Sequence, residues 1–483
     1  MPIEDIIHPY LARYTAAPQL VKTVLGGIYT RLPARVRYGA AYGGFAQEIE
    51  RCERDPVWTA QRAQEKLMQT LQWAIKTVPA YAQHEGLLGQ DLDPQEILAH
   101  FGTIDKANFK TNEASFLSTA MGPETRLVTY TGGSTSVPMR LYIEKFVSRS
   151  RDFAYNTKFD RVSGVAAGDL ILAMRGRTVP GSEREDGPIW MFDPIKRYVH
   201  LSTDYLEPRH MHRYVAAWRR FRPRHMHVYP SAIVPLANWL AANPHPDLTD
   251  AIESIQLFSE NVYDYQIDLI KKVFKCPILT DYGHSERCVK AISTRTDKRL
   301  FFWPLYGHVE LLGRDGKFIT EPGIVGEVVG TGFDNKVMPL IRYRTGDLAA
   351  WSTEPNTSRP GFKVIDSLDG RLQEFLVTHD YRLISVATVG AAHFEQLAAA
   401  DRMQFEQMEP GKAVLKILAE RDLASDVKAQ LAHGIAKQTQ GGIAVEVVRV
   451  EELKRTSSGK HKLLIQHLDL SGYMAAAHID SED

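Results

Sequence analysis

Between about residues 100 and 350, short β-rich apolar runs alternate with helical segments, an arrangement that limits the chain to sheets covered by helices. Strands are expected at 170–173, 225–229, 255–258 and 277–280, with helices at 211–221, 232–242 and 263–274. Strands joined through helices run parallel, and ligands sit beyond the carboxyl ends of such strands. Upstream, residues 1–100 read as mainly helical, and Leu67, Leu71 and Ile75 recur at helical spacing within 61–75. From Gly307 the texture turns β-rich, and HVELLGRDGKFI sets an Asp-Gly pair between two such runs, a hairpin signal. Runs at 326–331 and 340–343 continue it, and STEPNTSRPG at 352–361 reads as an exposed loop. Beyond Gly370 a small α+β unit is expected, with strands near 404–407, 414–418 and 444–450 and a helix near 424–437. The fold class is therefore α/β. A large N-terminal domain (1–370) combines helix-covered, mostly parallel sheets with a β-rich subdomain, and a small α+β domain (371–483) follows.

Chemistry-bearing motifs fall where such a fold would use them. Residues 130–140 read YTGGSTSVPMR after a β-rich stretch at 127–130. Gly132 and Gly133 leave room for a ligand, successive N–H groups of such a turn form an anion-binding concavity, and Ser134, Thr135 and Ser136 add hydroxyls. No Lys–Ser/Thr pair closes the loop, so it is not the Walker pattern. TDYGHSE (280–286) follows the apolar run 277–279, RYRTGDL (342–348) follows 338–341, and KRTSSGKHK occupies 454–462.

In this order and at these separations, the four motifs resemble those of the adenylate-forming superfamily: acyl- and aryl-CoA ligases, peptide-synthetase adenylation domains and luciferases. The likeness spans about residues 70–465. The short N-terminal region and GRLQEFLV at 370–377 look most like the phenylacetate-CoA ligase branch and its CapK-type relatives. The resemblance implies ATP-dependent activation of a carboxylic acid as acyl-AMP, with a C-terminal lid, followed by transfer to a thiol of CoA or of an acyl carrier protein. An amide or ester ligase using an amine or hydroxyl acceptor is the alternative, and a non-catalytic nucleotide-binding relative is a third reading. Cofactors implied are ATP, Mg²⁺ and, for the thiol acceptor, CoA.

Attack of a carboxylate on the α-phosphorus brings two anions together, so the protein must offset charge and align the reactants. Thr131, Gly132, Gly133, Ser134 and Thr135 suit the β- and γ-phosphates. Mg²⁺ binds through one or two carboxylates plus phosphates, so Glu286 on its turn suffices. By resemblance, Ser285 meets the α-phosphate, Tyr282 packs on adenine beside Gly283, and Asp281 lies near the adenine amino group. Ser259 and Glu260 in FSEN match a Gly-Glu segment lining the adenine site. Asp347 is a short acid suited to both ribose hydroxyls, and Arg371 matches an arginine used near ribose and phosphate. Lys460, on a Gly-hinged loop, is the expected catalytic cation between carboxylate and α-phosphate. Tyr229, Ser231 and Ala232 match the acid pocket.

Several positions depart from the family pattern. Arg140 stands near the usual loop Lys, Ser136 replaces a frequent Gly, and Gln373 takes the place of the first hinge Asp. His379, Asp380 and Tyr381 occupy a place where Gly is expected, and side chains there would obstruct a pantetheine path. The pairs His210/His212 and His225/His227 show metal-like spacing but no third ligand, so packed or surface histidines are expected.

Lys+Arg and Asp+Glu balance at 58 each, so no global field recruits nucleic acid or anionic lipid. Cys52, Cys276 and Cys288 lack metal-type spacing, which suits a reduced, cytoplasmic protein. No apolar run nears the ~18 residues of a membrane span, and the N-terminus lacks a signal-peptide pattern. The acid's identity and the oligomeric state, a homodimer included, are left open.

Overall fold

The computed structural model describes residues 5, 13–14, 17–130, 139–175, 179–182, 186–203, 205–206, 208–262, 264–313, 315–371, 375–381, 383–386, 402–419, 421–439, 441–454 and 462–468. Helices α1 (Gln19–Arg31), α2 (Ala34–Tyr38), α3 (Ala41–Arg54) and α4 (Pro56–Thr77) come first. Asp55 caps α4 by accepting from the Trp58 N–H, with Pro56 in the first turn where its missing donor costs nothing. Leu67, Leu71 and Ile75 are buried on one face of α4, as their spacing predicts. A two-stranded ribbon, β1 (Arg126–Tyr130) with β2 (Arg140–Glu144), precedes α5 (Ser148–Ser163).

The parallel region then builds up. It comprises β3 (Ile171–Met174), the hairpin β4 (Trp190–Asp193) and β5 (Tyr198–Leu201), α6 (Met211–Phe221), β6 (His225–Val228), α7 (Pro230–Ala242), β7 (Ser254–Phe258), α8 (Asp264–Val273) and β8 (Ile278–Gly283). An antiparallel region follows: β9 (Lys290–Ile292), β10 (Leu300–Phe302), β11 (Gly307–Leu312), β12 (Phe318–Ile319), β13 (Val325–Gly332), β14 (Tyr343–Trp351) and β15 (Val364–Arg371). Among the described residues these form one 13-stranded sheet, ordered β12-β11-β13-β14-β15-β10-β9-β8-β7-β6-β3-β5-β4. The parallel pairs run from β8 through β7, β6 and β3 to β5, and the antiparallel pairing with β9 marks the seam.

Period-two alternation explains how the parallel region is covered. Leu172, Met174, Met226, Val228, Ile255 and Leu257 face a core with α6, α7 and α8. The intervening positions face the other way, toward α5: Gln256 donates to Asp160 Oδ1 (3.0 Å) and Ser163 Oγ (2.9 Å) of that helix. This alternation also accounts for the His-x-His pair. His225 bonds Ser254 Oγ (2.8 Å) and Asp169 Oδ2 (3.2 Å), while His227 Nδ1 meets the Tyr198 hydroxyl at 3.2 Å. His210 is buried and His212 exposed, and no group of three or more His, Cys, Asp or Glu among the described residues could hold a metal.

The Asp-Gly hairpin forms as expected between β11 and β12, with Gly316 at φ +77°. Residues 338–343 depart from expectation. The 338–341 run is buried without being a strand, and β14 begins only at Tyr343, so RTGD lies within a strand rather than after one. After β15 come β16 (Phe375–Val377), β17 (Leu383–Ser385), β18 (Arg402–Glu409), β19 (Lys412–Leu418), α9 (Ser425–Gln438), β20 (Ala444–Val450) and β21 (Leu464–Gln466). The sheet β20-β19-β18-β21 closes its own core around Phe405, Leu415, Leu431 and Leu464.

Candidate functional site

The motif in β14 is fixed residue by residue from neighbouring strands. Arg342, held at φ +50°, sends its guanidinium to both oxygens of Glu310 on β11 (3.0 and 2.8 Å) and to the Phe101 carbonyl. The Tyr343 hydroxyl donates to Glu286 Oε1 at 2.9 Å. Arg344 pairs with Glu327 on β13, and Thr345 Oγ donates to the Val328 carbonyl. Opposite Glu327–Val329 the ladder slips, leaving Thr345, Gly346 and Asp347 as a bulge with Gly346 at φ +76°. The Glu327 carboxylate pins this bulge by accepting the Gly346 N–H at 3.0 Å. Asp347 thereby turns into the protein, only 4% exposed, and accepts the Tyr282 hydroxyl at 2.8 Å.

Asp347 and Glu286 consequently belong to one connected cluster. The Tyr282 ring lies 6.2 Å from His284, whose ring lies 6.5 Å from Tyr343, the hydroxyl partner of Glu286. His284 Nδ1 stands 3.3 Å from Glu286 Oε2, a close polar contact without hydrogen-bond geometry. Burial alone would push the Glu286 carboxyl up; the nearby His284 ring and the Tyr343 hydroxyl outweigh it and hold the group down at about 2. Glu286 is therefore a part-buried, ionised carboxylate at the seam of the sheet. A single such carboxylate fits a hard cation whose remaining ligands are phosphate and water oxygens.

Around this cluster the other expected residues take distinct places. Gly283 ends β8, and a Cβ there would meet nothing closer than the Val289 carbonyl at 3.7 Å. Packing does not require glycine there, so the missing side chain leaves space beside Tyr282. Ser285 lies on the same turn. Asp281 is engaged by Lys290 through both oxygens (2.8 and 3.0 Å), so its carboxylate is neutralised within the sheet. Ser259 has φ +63° at the end of β7, and that twist brings Glu260 onto the start of α7. Glu260 accepts from the Ser231 N–H and hydroxyl, both at 2.9 Å, thereby capping the helix that begins at Pro230. Tyr229 and Ala232 are buried, and the Tyr229 ring lies 5.0 Å from Phe258. Arg371 pairs with Asp347 in the β14–β15 register. Thr131, Gly132, Gly133, Ser134, Thr135, Gln373 and Lys460 lie outside the described residues.

Sequence reading passed over several positioning groups. Tyr343, His284 and Glu327 sit within or opposite the quoted motifs, but their partners come from other strands. Arg175, at the end of β3, lays its guanidinium over Phe258 (4.9 Å) and Tyr198 (5.8 Å), bringing a cation beside Tyr229. Arg140 is exposed and paired with Glu113 at 2.8 Å. His379–Tyr381 form the turn after β16: the Tyr381 N–H donates to the Thr378 carbonyl, and Tyr381 adopts φ +64°, a left-handed position carried here by a bulky side chain.

Under the sheet, burial pushes the Asp160 carboxyl up to about 6, against the hydrogen bond from Gln256 and with Asp281 adding to the rise. A raised carboxyl pKa favours the protonated folded state, so its stabilisation is complete below about pH 4 and lost as pH rises through about 6. Asp160→Asn is expected to be more stable than the parent at pH 8 by ~1–2 kcal/mol, discounted for partial exposure, and equal to it near pH 4. Urea unfolding at both values checks this, and an equal difference at the two would contradict it.

No family model matches the chain. It is 24% identical to Protein CapK of Staphylococcus aureus over 268 residues, 54% of this chain and 56% of that protein. The chain thus matches only about half the length of this curated relative. Among solved structures it is similar to 2-hydroxyisobutyryl-CoA ligase in the postadenylation state with R3-HIB-AMP. The TM-score is 0.64 at 16% identity, covering 89% of this chain and 93% of that one. The same ligase in the thioesterification state, with 2-HIB-AMP and CoA, gives 0.52 at 15% identity, covering 86% and 91%. The fold is that of an adenylate-forming CoA ligase, large α/β unit and smaller C-terminal unit included.

Proposed function

We propose that this chain is an adenylate-forming ligase related to CapK and the phenylacetate-CoA ligases. It activates a carboxylic acid with ATP as acyl-AMP and then passes the acyl group to a thiol of CoA or a carrier protein. The observation that carries the reading is the single, largely buried cluster joining Asp347, Tyr282, His284, Glu286 and Tyr343. Two motifs 61 residues apart (347 − 286) supply its two acids, and both ride on a fold shared with a ligase solved with an acyl-adenylate.

In this reading Asp347 accepts the ribose hydroxyls and Tyr282 lies along adenine. Glu286 would hold Mg²⁺, whose chemistry when bound is to offset phosphate charge. The chain's own residues do the rest. Tyr343 and His284 orient the Glu286 carboxylate, Glu327 holds the Gly346 bulge that aims Asp347, and Thr131–Thr135 cradle the outer phosphates. Glu260 fixes the start of α7, where Tyr229, Ser231 and Ala232 line the acid's place, with Arg175 adding a cation. The unit after residue 370 delivers Lys460 between carboxylate and α-phosphate. The turn at His379–Tyr381 favours a second reading in which the acceptor is an amine or hydroxyl, because side chains occupy the usual glycine place.

Acid-dependent exchange of pyrophosphate into ATP tests the first step across a panel of aryl, hydroxy and fatty acids. Lys460→Ala is expected to lower exchange about 10²–10³-fold with ATP binding retained. Absence of exchange for every acid would favour a nucleotide-binding protein without catalysis. With an accepted acid in hand, AMP release with CoA, carrier protein or amines separates thioester from amide formation.

A further inference from the structure

Helix α1 is amphipathic in the wrong sense for a surface helix. Lys22, Gly26 and Tyr29, spaced along one face, are buried, and Gly26 lies so close to Pro194 that a Cβ there would fall 2.7 Å from its ring. The opposite face carries Leu20 (77% exposed), Val21 (44%), Val24 (57%), Leu25 (47%) and Ile28 (58%). Positions i, i+1, i+4, i+5 and i+8 form a continuous apolar stripe, about 12 Å long at helical rise. Such stripes normally face inward, and an exposed one marks a contact surface.

Charge around the stripe identifies what it meets. From residue 6 to residue 47 the chain holds Arg13, Lys22, Arg31, Arg35 and Arg37 and no Asp or Glu, although the whole protein is charge-balanced. Arg31 and Arg35 are exposed at and just beyond the helix's C-terminal end, next to Val36, itself 39% exposed. A second copy paired through this stripe would set cationic flanks against cationic flanks. An anionic lipid surface complements both features at once: acyl chains take the stripe and headgroup phosphates take the arginines. No described helix is long and apolar enough to cross a membrane, so the contact is peripheral.

We propose that α1 docks the protein flat onto anionic bilayers. Co-sedimentation of the full chain with phosphatidylcholine vesicles, with and without about 30% phosphatidylglycerol, tests it. Binding is expected to the anionic vesicles alone and to weaken strongly between 50 and 500 mM salt. Arg31→Gln with Arg35→Gln should cost about 25-fold in affinity, at roughly fivefold per basic residue. Val24→Ser with Ile28→Ser should lower affinity at least tenfold. These side chains are exposed, so an unchanged melting temperature shows that each variant is folded, and the salt series on the parent stands without any variant. No binding by the parent, or binding by both double variants as tight as the parent's, would overturn the proposal. So would a solution dimer that dissociates in Val24→Ser/Ile28→Ser while no vesicles are bound, which would assign the stripe to a second copy.

Discussion

Glu286→Gln is expected to reduce acid-dependent ATP–pyrophosphate exchange by about 10²–10³-fold, the scale on which removal of one preorganised charge acts in a water-poor site. The substitution preserves shape, and the amide oxygen can still accept the Tyr343 hydroxyl, so the loss isolates the charge. Metal-free ATP binding should be nearly unchanged, whereas the Mg²⁺ concentration needed for half-maximal exchange should rise. A rate within threefold of the parent at every Mg²⁺ concentration would remove Glu286 from the metal role. The carboxyl's folded pKa of about 2 lies below its ordinary value, so its contribution to stability is complete above about pH 4.5 and lost as pH falls toward 2. Any acid limb of the activity profile between pH 5 and 7 must come from another group.

The second large effect is structural. Gly307 begins β11 directly beneath the turn that carries Glu286, and a Cβ there would fall 1.8 Å from the Cys288 carbonyl oxygen and 2.9 Å from that of Thr331. Backbone atoms on both sides cannot swing away, so Gly307→Ala is expected to destabilise by ~3 kcal/mol or more. Its melting temperature should fall by roughly 3 °C or more, because a chain of this length unfolds with an entropy of about 1 kcal/mol/K. Exchange activity should also fall below the melting transition, because relief of the clash shifts Cys288, two residues from Glu286. Gly316→Ala is the control: that glycine has φ +77° and open space, so only the left-handed backbone penalty of ~1 kcal/mol applies. A differential scan showing equal losses for the two would contradict the steric account.

How much of this was legible depended on whether the information is local. Period and turn chemistry are local, so β6, β7, β8, α6 and the Asp315-Gly316 hairpin lie within a few residues of their expected places. The 338–341 run misled because an apolar stretch that fills a core as irregular chain carries the same composition as a strand. β21 was missed because it is a three-residue strand completed by β18, whose register partner lies 59 residues earlier (Phe405 opposite Leu464). At the candidate site, motif residues such as Asp347 and Glu286 could be named from the chain, but their mutual geometry could not. Tyr282 reaches Asp347 across 65 residues, and Glu327 sets the bulge from a neighbouring strand. Asp281 shows the converse: its carboxylate is consumed by Lys290, a cross-strand partner no linear reading would pick.

The self-contained core around Phe405, Leu415, Leu431 and Leu464 has a practical corollary for engineering. A segment that satisfies its own apolar contacts can be exchanged as a cassette, and under the proposed function this would uncouple acceptor preference from acid preference. Recombination near residue 370 would let a lineage keep one recognition surface while sampling tails suited to other nucleophiles.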